Sequence, residues 1–88
     1  WYVRSNREAG DGFSDISIEI EDEGIGIIIE VKYAEKSRME EVCREALRQI
    51  EVTGYTEQLK EDDCDTILKY GIACYKKQCR VMVETEKY

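Results

Sequence analysis

The run IGIIIEVKY, residues 25–33, constrains the fold more than any other stretch of the chain. Its nearly unbroken β-branched residues carry no helical spacing, and such a run is the mark of a strand covered on both faces. It therefore predicts a central strand. Yet the strand holds Glu30 and Lys32. Side chains alternate across a strand, so these two charges share one face and Val31 points to the other. Burying charge is costly unless the charge is paired. The pair is thus expected either as partners at the strand's rim or as working groups.

Composition narrows the class. Of 88 residues, 42% are hydrophobic and 38% charged, which suits one domain over residues 1–88 with a single modest core. No apolar run approaches the roughly 20 residues that span a bilayer, and no basic segment leads into an apolar one at the start. Membrane and secretory readings are set aside. The chain opens at Trp1 directly in strand-like sequence and reads as a fragment of a longer protein. Thirteen basic against twenty acidic residues give a net charge of −7. That charge repels a polyanion unless a local basic patch or bound metal compensates, and the sequence offers YKKQCR and KYAEKSR as such patches. Cys43, Cys64, Cys74 and Cys79 lack CxxC spacing and the chain has no histidine, which argues against zinc. Reduced core thiols, without disulfides, in a cytoplasmic protein are expected.

Along the chain, AGDG at 9–12 marks a turn and DISIEIED alternates with the period of a half-buried strand, with Ile16, Ile18 and Ile20 on one face. A turn near Glu23 and Gly24 leads into the central run. Ser37 with Glu40 reads as a capping box for a helix from about Arg38 to Val52, with Met39, Val42, Cys43, Ala46, Leu47 and Ile50 at helical spacing. Gly54 breaks it before a short second helix bearing Tyr55 and Leu59. TILKYGIACY and CRVMVETE then read as an antiparallel hairpin turned by KKQ at 76–78. The expected fold class is α/β: a mixed central sheet with helix packed on at least one face through Val42, Ala46 and Ile50.

Glu30 and Lys32 match what a metal-dependent hydrolase needs, a hard oxygen ligand beside a cation that positions water. Asp15 opens the preceding strand, and a hairpin would lay it beside Glu30. The plainer alternatives are a surface ion pair for Glu30 with Lys32 and a turn role for Asp15. Asp15, a glycine-turned hairpin and Glu30-Val31-Lys32 together resemble the PD-(D/E)xK nuclease superfamily. With NREAGDGFSDISIEI, EALRQIEVTGYTEQL and ILKYGIACYKKQCRV, the likeness extends to the nuclease-like domain at the C-terminus of bacterial AAA-ATPase-like proteins.

The resemblance implies a restriction-endonuclease-like core that lacks its N-terminal helix in this fragment. It implies Asp15 and Glu30 as metal ligands, the Val31 carbonyl as a third oxygen, and Lys32 orienting water and stabilising developing charge. Gln49 matches a glutamine near the site, Tyr55 a tyrosine position, and Glu8 alone could stand in for an acidic residue on the absent helix. Ser14 replaces the motif's proline. The implied cofactor is Mg²⁺ or Mn²⁺. The implied partners are nucleic acid, with DNA and RNA both open, and an ATPase-like domain of the same chain; no membrane is implied and homo-oligomerisation is left open. The implied activity is phosphodiester hydrolysis, or its alternative, a catalytically inactive binding or regulatory module.

Overall fold

The computed structural model describes residues 2–8 and 13–88. The turn expected at AGDG lies outside the described residues. In order, the elements are β1 (Tyr2–Glu8), β2 (Phe13–Ile20), β3 (Ile25–Tyr33), α1 (Met39–Thr53), α2 (Tyr55–Glu61), β4 (Thr66–Tyr75) and β5 (Gln78–Lys87). The five strands form one sheet in chain order. Every neighbouring pair is antiparallel except β3 with β4, which run parallel and are joined through the two helices. The mixed sheet and the central place of IGIIIEVKY agree with the sequence.

α1 buries Val42, Cys43, Ala46, Leu47 and Ile50, the stripe its spacing predicts. Its start differs from expectation. Lys36–Arg38 form a short 3₁₀ turn, the helix begins at Met39, and no side chain caps it, so the Ser37–Glu40 box does not form. Arg38 instead pairs with Glu41 across the first turn, at 3.1 Å. That contact holds the guanidinium above its ordinary pKa and the Glu41 carboxyl below its own. α1 ends where Gly54 takes a left-handed conformation at φ 82°, which glycine adopts without the Cβ penalty.

Both helices lie on one side of the sheet, as the two glycines facing them show. A Cβ on Gly71 of β4 would stand 2.5 Å from the carbonyl oxygen of Cys43 in α1. One on Gly26 of β3 would stand 2.6 Å from Leu59 Cδ1 in α2. Under them lies the core of Ile28, Leu47, Ile50, Leu59, Cys64 and Ile67.

This arrangement corrects the reading that β3 is covered on both faces. Gly26, Ile28 and Glu30 are buried beneath the helices, while the opposite residues Ile25, Ile27, Ile29 and Val31 are only half-buried. The same holds for β2 and inverts its expected polarity. Asp15, Ser17 and Glu19 are the buried set, each at most 6% exposed, and Ile16, Ile18 and Ile20 belong to the half-buried face. Register explains why: Asp15, Ser17 and Glu19 stand opposite Glu30, Ile28 and Gly26, so they share the helix-covered side.

Candidate active site

The polar row of β2 is aimed under the helices, and burying its carboxylates requires compensation. Asp15 and Glu30 are direct cross-strand partners, a relation that sets their Cβ atoms about 5 Å apart on one face. Asp15 is 5% exposed and Glu30 2%. Tyr55 supplies one compensation, donating its hydroxyl to Asp15 Oδ1 at 2.9 Å. The end of α1 places it there. Thr53 Oγ1 donates to the Ile50 carbonyl at 2.8 Å and accepts from the Tyr55 backbone N–H at 3.3 Å, so the chain turns at Gly54 and presents Tyr55 at the first position of α2.

Glu30 is engaged in polar contact as well, and its second oxygen, Oε2, is buried without a hydrogen bond. The alternative of a surface ion pair at the strand's rim does not hold for Glu30, which lies deep in the sheet's covered face. Lys32 is two residues further on the same face, half-buried, and opens into a cavity of about 330 Å³ lined also by Ala34, Arg38, Val42 and Glu45. Lys32 is itself engaged in polar contact.

The remaining expected residues are placed as follows. Val31 sits in the ladder opposite Ser14 on one side and Ile72 on the other. Gln49 is half-buried on α1, three residues past buried Ala46. Glu8 closes β1 opposite Phe13. The structure thus gathers Asp15, Glu30 and Tyr55 at one point, with Lys32 beside them along β3.

The parallel β3–β4 pairing also brings the two basic segments together. Lys32 is opposite Ala73, and Ala73 is opposite Arg80, so Lys32 and Arg80 flank one residue on the same face. Arg80 reaches Glu40 of α1 at 3.8 Å.

Sequence reasoning missed three buried polar groups on this face. Lys69 of β4 is fully buried and forms ion pairs with Glu51 of α1 and Glu86 of β5. Burial pulls its pKa down, but hydrogen bonds and charge from the two carboxylates outweigh that and the net shift is upward. Glu19 lies near Cys64, with Sγ to Oε1 at 4.0 Å. Burial first, and the neighbouring Glu19 second, push the Cys64 thiol up. Ser17 completes the β2 row. The signal is the alternation of DISIEI, which puts Asp15, Ser17 and Glu19 on one face without saying which face the helices cover.

An α/β fold with a mixed sheet, two carboxylates opposed across adjacent strands and a lysine two residues beyond the second defines a nuclease-like core. A family model described as the PD-(D/E)XK nuclease superfamily matches residues 1–84. The chain belongs to that superfamily. No curated protein and no solved structure matches the chain. No helix among the described residues is long and apolar enough to cross a membrane.

Proposed function

We propose that this chain is a divalent-metal-dependent nuclease domain that hydrolyses phosphodiester bonds. The observation that carries the reading is the direct opposition of Asp15 and Glu30 on one buried face, with Lys32 next along the strand. The donor chemistry fits a hard cation such as Mg²⁺ or Mn²⁺, because both side chains offer carboxylate oxygens and neither sulfur nor imidazole competes. Among the described residues no group of three or more His, Cys, Asp and Glu could hold a metal ion. Asp15 and Glu30 would therefore hold the ion with backbone oxygen, from Val31, and water completing its shell. When bound, the ion lowers the pKa of a coordinated water and neutralises charge on the scissile phosphate.

The chain's own residues do the rest. Tyr55 fixes the carboxylate of Asp15 through the Oδ1 bond. Lys32 carries the positive charge that orients the attacking water and stabilises the oxyanion that develops at phosphorus. Arg80, on the same face, supports the backbone of a polyanionic substrate, which a chain of net charge −7 needs at the point of contact. The superfamily and the sequence leave DNA and RNA as equal candidates.

A second reading is favoured by the burial itself. Both carboxylates are almost inaccessible and Tyr55 occupies one oxygen of Asp15, which suits an inactive module that binds or regulates an attached ATPase-like domain. Thermal melting of wild type and Asp15→Ala with and without Mn²⁺, beside cleavage of DNA and RNA by the full-length protein, separates the two. At about 100 times the dissociation constant, bound metal should stabilise wild type by about 2.7 kcal/mol. Asp15→Ala should lose both that shift and cleavage. No Mn²⁺ shift in wild type, with no cleavage, would leave the binding module.

A further inference from the structure

The far end of the β4–β5 hairpin holds two thiols in a relation that the nuclease reading does not use. Cys74 and Cys79 are cross-strand partners, and their Sγ atoms are 3.1 Å apart. Lys76 and Lys77 form the two-residue turn, which Tyr75 and Gln78 close as a pair. The next rung out is then of the non-hydrogen-bonded type, with Cα atoms about 4.5 Å apart. That separation falls within the range of about 4.4 to 6.8 Å that a disulfide spans. Both thiols are free, Cys79 is exposed and Cys74 half-buried, so the outer sulfur is open to solvent while the inner one waits behind it.

We propose that Cys74 and Cys79 form a reversible dithiol–disulfide site, oxidised by exchange with a low-molecular-weight disulfide. The Cys79 thiolate attacks one sulfur of the small disulfide, forms a mixed disulfide and releases one small thiolate. The Cys74 thiolate then attacks the Cys79 sulfur, forms the Cys74–Cys79 bond and releases the second. Two protein thiols lose two electrons in total, the small disulfide gains them, and the two protons pass to the released thiolates. The order follows from the surroundings. Burial, followed by the bond to Cys79, pushes the Cys74 thiol up to about 11, so Cys79 is the first attacker.

The rung adjoins the ExK strand. Cys74 is paired on its other side with Tyr33, and the Ala34 N–H donates to the Cys74 carbonyl at 2.9 Å. Oxidation would clamp β5 to β4 one residue from the rung that holds Lys32 and Arg80.

Incubation of the folded protein with glutathione disulfide, an acid quench, alkylation of remaining thiols and tryptic mapping tests the site. Cleavage after Lys76 and Lys77 puts Cys74 and Cys79 on separate peptides, so a disulfide appears as two joined peptides. The folded chain should give this product about tenfold or more faster than the urea-unfolded chain, because the fold sets a high local thiol concentration. Cys43 and Cys64 should alkylate only after unfolding. Cys74→Ser should trap glutathione on Cys79, and Cys79→Ser should leave Cys74 a thiol. A stable mixed disulfide on Cys79 of the wild type, or equal rates in folded and unfolded chains, would overturn the proposal.

Discussion

Tyr55 and Asp15 are 40 residues apart in sequence and joined by a hydrogen bond of 2.9 Å. One sits at the start of α2 and the other near the start of β2, so the bond ties the helical layer to the carboxylate face of the sheet. Asp15 is buried, and losing its donor exposes the desolvation cost of that oxygen. Tyr55→Phe should therefore destabilise the fold by about 1 to 2 kcal/mol by urea unfolding. The same change in an Asp15→Ala background should cost much less, because the shared interaction is already gone. Equal costs in both backgrounds would show that Tyr55 acts through packing alone.

Lys69 offers a prediction with a sign in pH. It is fully buried between Glu51 and Glu86. Lys69→Ala leaves a void and two unmatched carboxylates and should cost about 3 kcal/mol or more. Lys69→Met fills the space while Glu51 and Glu86 turn to solvent, and should cost less. The folded-state pKa lies above the ordinary 10.5, so the pair's contribution is complete below that pH and is lost as pH rises through the higher folded value. Urea unfolding across alkaline pH should show stability falling more steeply in wild type than in Lys69→Met.

The two helix-facing glycines should differ in their tolerance of alanine. At Gly71 the added Cβ meets the backbone oxygen of Cys43 at 2.5 Å, and backbone cannot turn aside. At Gly26 it meets the tip of Leu59, a side chain with other rotamers. Gly71→Ala should cost about 2 to 3 kcal/mol by forcing α1 off the sheet, and Gly26→Ala about 1. A reversed order in thermal melting would show that α2 is the more tightly seated helix.

Gly54 has open space around its missing Cβ, so only backbone conformation opposes a substitution there. With φ at 82°, Gly54→Ala should cost about 1 kcal/mol, and Gly54→Asn less. Loss of the Tyr55–Asp15 contact along with stability would show that this turn also aims the tyrosine.

Element identity was legible because the periods were clean. β4 occupies the residues TILKYGIACY, and α1 buries the stripe that its spacing marks. The pairing of Asp15 with Glu30 was legible too, since a glycine turn followed by a strand implies a hairpin and fixes which residues meet. What sequence could not show was which face of β2 turns inward. Alternation states that isoleucines and acids lie on opposite sides, but not which side the helices cover; that depends on contacts from α1 and α2, far along the chain. Lys69 was missed for the same reason. A lysine inside an apolar strand is explained only by Glu51 and Glu86, which reach it from two other elements. The Ser37–Glu40 box failed because the 3₁₀ turn carries the chain past it before the helix begins.

The single parallel pairing in the sheet has a kinetic consequence. β2 and β3 are linked by a short turn through Gly24 and can zip together from local contacts, which sets Asp15 against Glu30 early. β3 meets β4 only after the whole of α1 and α2 has been wound between Ile25 and Thr66, and such long loop closure is slow. During synthesis the opposed carboxylates would then exist before Tyr55, Lys69 or the cysteine rung arrives. On that order the last step of folding covers the charged face, and a chain stalled before it would present Asp15, Glu19 and Glu30 to solvent.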